Sequence, residues 1–299
     1  MSYYQNEILN LRYKPQKILI ERLMSLGLIQ RSFLCSYCEM EMLLRNKKTH
    51  DEYAWVCNNL CCEFYRTTRS IRSNSIFEDF RCSIMDVYLI IYSWSIDKPI
   101  KSIVTEFDIP KRTNIKIYKI LRSLINRHLE ADPIRLGGIN KVCQIDESLF
   151  CHKVKAHRGR APETSLWVFG IVDTSFSPAK GYMEIVPDRS ARTLLPIIRK
   201  VCKLGTIIHS DDWSAYGQIQ SQLGFIHKTV NHSYYFVDPD TNIHTQNIES
   251  YWNKQKLKLK TLRGVRRADL PFCIAEFIWK ENYKNDIFNT LIEVIKIYY

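Results

Sequence analysis

The sequence predicts a mixed α/β chain. Its core has three antiparallel strands and then two strands alternating with helices, and it follows a small cysteine-rich module and a helical segment. Three observations predict this. The hydrophobic period changes from helical to alternating near residue 140. Beyond that point β-like and helix-like runs follow in a fixed order. Five of the ten cysteines crowd between residues 35 and 62.

The stretch YKPQKILIERLMSLGLIQ reads as a short helix and lead-in to the cysteine pairs, which stand among short alternating runs of a small β-rich module. Residues 1–80 are therefore expected to form an N-terminal helix and a zinc ribbon. From 81 to 130 the pattern is helical: CSIMDVYLIIYSWSI, PIKSIVTEF and IPKRTNIKIYKILRSLINRHL. The break DIPKR between the last two suits the turn of a helix-turn-helix. LEADPIRLGGIN, with its Pro and Gly pair, is a linker. Three β-like runs follow, KVCQIDESLF, SLWVFGIVDTS and KGYMEIVPD. SARTLLPIIRKVCK reads as a helix with Ser190 at its N-cap. GTIIHSDDW is a fourth strand, SAYGQIQSQLG a short helix and HKTVNH a fifth strand. A basic helix and DLPFCIAEFIWKENYKN close the core. This order matches an RNase H-like fold, and residues 131–299 are assigned to it with the C-terminal helices.

The net charge is +12, which favours a polyanionic partner, nucleic acid above all. No apolar run reaches the roughly 18 residues of a membrane span, and the N-terminal stretch lacks a signal-peptide core. The expectation is an intracellular protein, neither secreted nor membrane-bound, working in the nucleus of a eukaryote or otherwise in the cytoplasm.

Asp146 lies within the first strand, Asp211 ends the fourth, and Glu249 begins the basic helix. In an RNase H-like core the first strand is central, the fourth lies beside it and the last helix packs across both, so the three acids converge. Clustered carboxylates raise one another's pKa unless cations neutralise them, and such oxygen ligands suit Mg²⁺ or Mn²⁺. Two ions about 3.5–4 Å apart activate a water or a 3′-hydroxyl and stabilise the leaving oxygen of a phosphodiester. Single acids at strand ends are mostly caps or surface charges, and Asp173 and Asp188 are read that way. On the helix, Gln246, Glu249, Trp252, Asn253 and Lys256 share one side. Glu249 faces metal, Lys256 reaches a phosphate, and Trp252 either braces the helix or stacks on a base. Lys254, Lys258, Lys260, Arg263, Arg266 and Arg267 continue the positive track. A solvated amphipathic helix would carry the same charges.

Cys35 and Cys38 form a CxxC pair, and Cys57 pairs with Cys61 or Cys62. Four thiolates around structural Zn²⁺ would fold a segment too small for a core of its own. His50 is a weaker ligand candidate.

QIDESLF, HRGR, LWVFGIVD, IIHSDDWSAY and HTQNIESYWNKQK together resemble the Merlin superfamily of DDE transposases and related bacterial insertion-sequence enzymes. The segment from CSYC to WVCNNLCCEFYRTTRSIRSNSIFE is similar to that family's zinc ribbon. The resemblance implies a DNA transposase that binds terminal inverted repeats, cleaves DNA ends with metal-activated water and joins 3′-hydroxyls to target DNA. It carries the triad onto Asp146, Asp211 and Glu249, puts Asp212 where another acid often stands, and favours Cys62 as the fourth thiolate. The family's basic residue falls on Lys256, and Arg158 and Arg160 of the HRGR hairpin are implied to touch DNA phosphate; an ordinary basic turn would look the same. The partners implied are double-stranded element ends and target DNA, held by a homodimer or larger assembly. Two other readings share these features: a catalytically silent transposase-derived DNA-binding protein, and an RNase H-like nuclease acting on RNA.

Overall fold

Five strands form the larger sheet of the computed structural model, which describes residues 3–150, 166–231, 237–239, 241–262 and 265–299. They are β4 (Val142–Leu149), β5 (Trp167–Asp173), β6 (Lys180–Val186), β7 (Ile207–Asp211) and β8 (Ile226–Val230), after three strands of a smaller sheet. The order is β6-β5-β4-β7-β8. β4, β5 and β6 pair antiparallel, while β7 and β8 run parallel to β4. The first strand of the core is thus central and the fourth is its neighbour, as an RNase H-like core requires.

The chain divides into two compact units, Met1–Leu124 with Asn285–Tyr299, and Ile125–Lys284. Reading from sequence grouped residues 131–299, whereas by contact the last fifteen residues belong with the N-terminal unit.

In the second unit, alternation along β4 sends Cys143 and Ile145 into one apolar cluster with α6 (Ala191–Val201). Gln144 and Asp146 point to the other face, where α7 (Gln246–Thr261) and α8 (Leu270–Asn282) pack. α7 lies over β4, the first strand of the core, as expected, and over β5. Gly170, opposite Asp146 in β5, permits this: a Cβ there would come within 2.5 Å of the Trp252 ring. The stretch read as a short helix after β7 consists of two short helical turns, a 3₁₀ turn at Ser214–Tyr216 and a π-helical turn at Ile219–Leu223. Ser190 stands at the N-cap of α6, but its side chain does not cap it. Asp188 ties that turn instead, accepting from Ser190 N–H at 2.9 Å and Thr193 Oγ1 at 2.8 Å.

The first unit opens with two helices, α1 (Tyr3–Leu11) and α2 (Gln16–Ser25). Its antiparallel sheet is β1 (Leu43–Asn46), β2 (Tyr53–Val56) and β3 (Thr68–Ser70). Arg72, in the Ser-x-Arg-x-x-Ser segment, is buried and grips Asp51 with Nε at 2.6 Å and Nη2 at 2.5 Å. Three helices follow, α3 (Ile84–Ser95), α4 (Ile100–Phe107) and α5 (Lys111–Ala131). Ser83 caps α3 by accepting from Asp86 N–H at 3.0 Å. Between α4 and α5 the turn is held by buried Asn114, whose Nδ2 donates to the carbonyls of Ile109 and Pro110 at 3.0 and 3.1 Å. α9 (Ile287–Tyr298) packs on α3, with Phe288 ringed by Tyr4, Tyr88 and Tyr92. No helix among the described residues is long and apolar enough to cross a membrane.

Candidate active site

The parallel ladder between β4 and β7 pairs Gln144 with His209. Continued two residues, that register puts Asp146 level with Asp211, on the sheet face where α7 packs. Burial pushes the Asp146 carboxyl up to about 6, and the charges of Asp211 and Glu249 push the same way. Asp211 and Glu249 therefore both lie near enough for their charges to act on Asp146. Among the described residues no salt bridge reaches Asp146 or Asp211.

Two contacts lock α7 onto β4. The Gln144 side chain is buried, and its Oε1 accepts from Asn247 N–H at 2.9 Å and Ile248 N–H at 3.2 Å. It thus satisfies the helix N-terminus, which Thr245 leaves without a side-chain cap. Its Nε2 donates to the His244 carbonyl at 2.8 Å. One turn into the helix, Trp252 Nε1 donates to Asp146 Oδ2 at 3.0 Å. Trp252 is 4% exposed, so it takes the bracing role of the two expected, and its ring is closed to a nucleobase. Glu249 sits exposed in the first turn, with Thr245 Oγ1 3.5 Å from its Oε1. The acids are not drawn together into a finished ligand cage. Among the described residues, the cysteines below are the one group with three or more ligand atoms all within 4.8 Å of each other.

The structure adds a fourth carboxylate. Glu147 is lifted by burial to about 7, with Asp146 and Asp211 adding to the rise. The Tyr216 hydroxyl, itself buried, donates to Glu147 Oε1 at 2.7 Å and opposes that rise, as does the charge of Arg189. Its only sequence signal was adjacency to Asp146. Gln144 had none, since a polar residue in a strand ordinarily reads as facing solvent. Asp173 is structural as expected: buried, it accepts from Gly137 N–H at 2.8 Å and Ser175 N–H at 2.9 Å.

The positive track is divided. Lys254 is committed to an ion pair with buried Glu281, and Lys258 lies over the Phe277 ring at 5.0 Å. Arg266 pairs with Asp269 at 2.8 Å. Lys260 is exposed and Lys256 half-buried. Arg158, Arg160 and Arg263 lie outside the described residues.

In the other unit, the thiols of Cys35, Cys38, Cys57 and Cys62 all lie within 4.8 Å of one another. Cys38 and Cys57 Sγ are 3.8 Å apart, close to the separation of about 3.8 Å that tetrahedral Zn–S bonds of about 2.3 Å produce. Backbone hydrogen bonds from Tyr37 and Cys38 lower the Cys35 thiol to about 6, while burial pushes Cys62 up to about 12, so without an ion the group does not hold four thiolates. Cys61 is exposed and outside the group, and His50 turns to Asp51 and Arg72. Four soft sulfur donors at these spacings fit zinc.

Residues 144–282 match the ISXO2-like transposase domain. An uncharacterized transposase-like protein of Haemophilus influenzae is 29% identical over 117 residues, covering 39% of this chain and 91% of that protein. Among solved structures, the catalytic core domain of BIV integrase is similar at a TM-score of 0.31 and 16% identity, covering 45% of this chain and 80% of that one. A simian T-cell lymphotropic virus intasome gives a TM-score of 0.30 and 15% identity over 64% of this chain and 67% of that one. Both likenesses are loose, and the fold assignment rests on strand order. The domain match takes in Asp146, Asp211 and Glu249, and with the transposase-like relative it supports a DNA transposase.

Proposed function

We propose that this transposase cuts DNA at the ends of its element and joins the 3′-hydroxyls to target DNA, using Asp146, Asp211 and Glu249 to hold Mg²⁺ or Mn²⁺. The observation that carries the reading is the convergence of Asp211, level with Asp146 in the parallel ladder, and of Glu249 on the buried Asp146 carboxyl, with no salt bridge to Asp146 or Asp211 among the described residues. Uncompensated oxygen donors of this kind fit a hard divalent ion. Such ions, when bound, supply Lewis acidity to the phosphodiester and a water of lowered pKa. The chain's own part is to hold the donors. Gln144 fixes the start of α7, Trp252 orients Asp146, and Lys256 and Lys260 offer charge to the DNA backbone.

The four cysteines are the ligands of a structural zinc, making the small sheet a zinc ribbon. Helices α4 and α5, joined across the turn that Asn114 clamps, serve as a helix-turn-helix, and with the ribbon they hold the terminal repeats. Holding two ends at once calls for a dimer or larger assembly on DNA. By the resemblance of its motifs we read the enzyme as a member of the Merlin group, and its site of action as the compartment that holds its DNA.

The test is strand cleavage of a labelled duplex carrying an element end, in Mg²⁺ or Mn²⁺, comparing the wild type with Glu249→Gln. Cleavage lost in the variant supports the assignment. Specific binding by both proteins without cleavage under any divalent ion would replace it with a silent DNA-binding descendant.

A further inference from the structure

Arg189 lies in the turn between β6 and α6, in contact with two indoles. Its guanidinium is 4.1 Å from the centre of the Trp167 ring and 4.5 Å from that of Trp213. The two indoles come from different segments. Trp167 opens β5 opposite Leu149 of β4, and Trp213 follows β7. Trp213 is pinned at both ends: its backbone N–H donates to Asp211 Oδ1 at 3.1 Å, and its Nε1 donates to the Arg189 carbonyl at 3.2 Å. The cation is therefore tied by one residue to a carboxylate of the candidate active site.

An arginine in a fold usually answers a carboxylate. This one does not: among the described residues its guanidinium has ring contacts but no salt bridge or hydrogen bond. The adjacent Asp188 is occupied by Ser190 and Thr193 of its own turn. Glu147 is near enough for the arginine's charge to favour its ionised form, yet the two do not pair. Two indoles hold the guanidinium in place by cation–π contact, and its N–H donors have no acceptor among the described residues. A held guanidinium with its fork of donors unspent suits a bidentate oxyanion.

We propose that Arg189 binds a phosphodiester group of the DNA strand being cut, with Trp167 and Trp213 as the rings that hold its guanidinium in place next to the turn that Trp213 ties to Asp211. This rests on the catalytic reading above. The arginine supplies a fixed positive charge where the acids would otherwise repel the backbone.

The test is nicking of supercoiled plasmid by the full-length, zinc-loaded protein in Mn²⁺, across a KCl series. Every nicked phosphate has passed through the site. Arg189→Gln should lower kcat/KM on the order of 10- to 100-fold. It should also make the log–log salt dependence shallower by about 0.9, the value of one lost phosphate contact. Arg189→Lys, which keeps the charge but not the fork, should retain the salt slope while losing part of the rate. Mn²⁺ binding and the melting temperature should be unchanged in both variants. A glutamine variant with the wild-type rate and slope overturns the proposal. So does one that loses rate together with thermal stability at an unchanged slope, since the arginine would then only brace the indoles. A wild type that nicks nothing under any divalent ion defeats the catalytic reading itself, and this proposal with it.

Discussion

Replacing Asp146 with Asn should stabilise the protein when Mg²⁺ and Mn²⁺ are absent. The carboxyl is held mostly out of water, and its pKa rises from 3.8 to about 6. A carboxylate raised in the fold binds its proton more tightly folded than unfolded. It costs nothing below pH 3.8, and the penalty grows as the pH rises through about 6. Above that range the full cost is about 3 kcal/mol, from 1.36 kcal/mol per pH unit of displacement. Asn keeps the acceptor for Trp252 Nε1 and removes the charge. For a unit the size of Ile125–Lys284, about 3 kcal/mol corresponds to a rise in Tm of roughly 6–12 °C at pH 8. The assay is scanning calorimetry on the full chain, with zinc retained and other divalent ions removed, at pH 8 and near pH 4. The gain should vanish at the lower pH. Adding Mg²⁺ should raise the Tm of the wild type at pH 8 and leave the variant where it was. A variant no more stable than wild type at pH 8, or equally stabilised at both pH values, would refute the argument that buried, uncompensated charge is what this site holds.

Two further outcomes follow from the contacts. Cys62→Ser should release zinc and unfold the small sheet, while Cys61→Ser should leave zinc content near one per chain; atomic absorption on purified variants decides between them. Gln144→Met keeps the bulk but strands two buried helix N–H groups, so a loss of about 1–3 kcal/mol is expected in denaturant unfolding. It should also weaken Mn²⁺ binding measured by titration, and unaltered metal affinity would mean that the clamp does not set the position of Glu249.

Much of the core was legible because it depends on local pattern. β-like runs bounded by turn chemistry located β4, β5 and β6, and the apolar run ending in SDD located β7. Strand order then brought Asp146 level with Asp211. Spacing narrowed the fourth cysteine of the cluster to Cys61 or Cys62, and the structure groups Cys62 with the other three thiols while Cys61 lies exposed outside them. What stayed hidden depends on partners distant in sequence. Lys254 reads as one more DNA-facing lysine until Glu281, 27 residues on, is seen beneath it. Gln144 looks like a solvent-facing position in a strand, because the helix end it serves comes 103 residues later. The contact of Arg189 with Trp167 and Trp213 is invisible for the same reason, since no periodicity relates a strand start, a turn and the segment after another strand.

The return of α9 to the N-terminal unit has a consequence for how copies of this protein fail. During synthesis the acid-bearing unit is fully made by residue 284, whereas the unit around Tyr88 and Tyr92 waits for Phe288. A nonsense mutation or deletion that removes only the last helix would leave all three acids encoded and the cysteine group intact. It would still expose the apolar face of α3 that α9 covers. Decay of such a copy would begin with misassembly and clearance, well before any of the three acids is lost, and an inventory of those acids would pass it as intact.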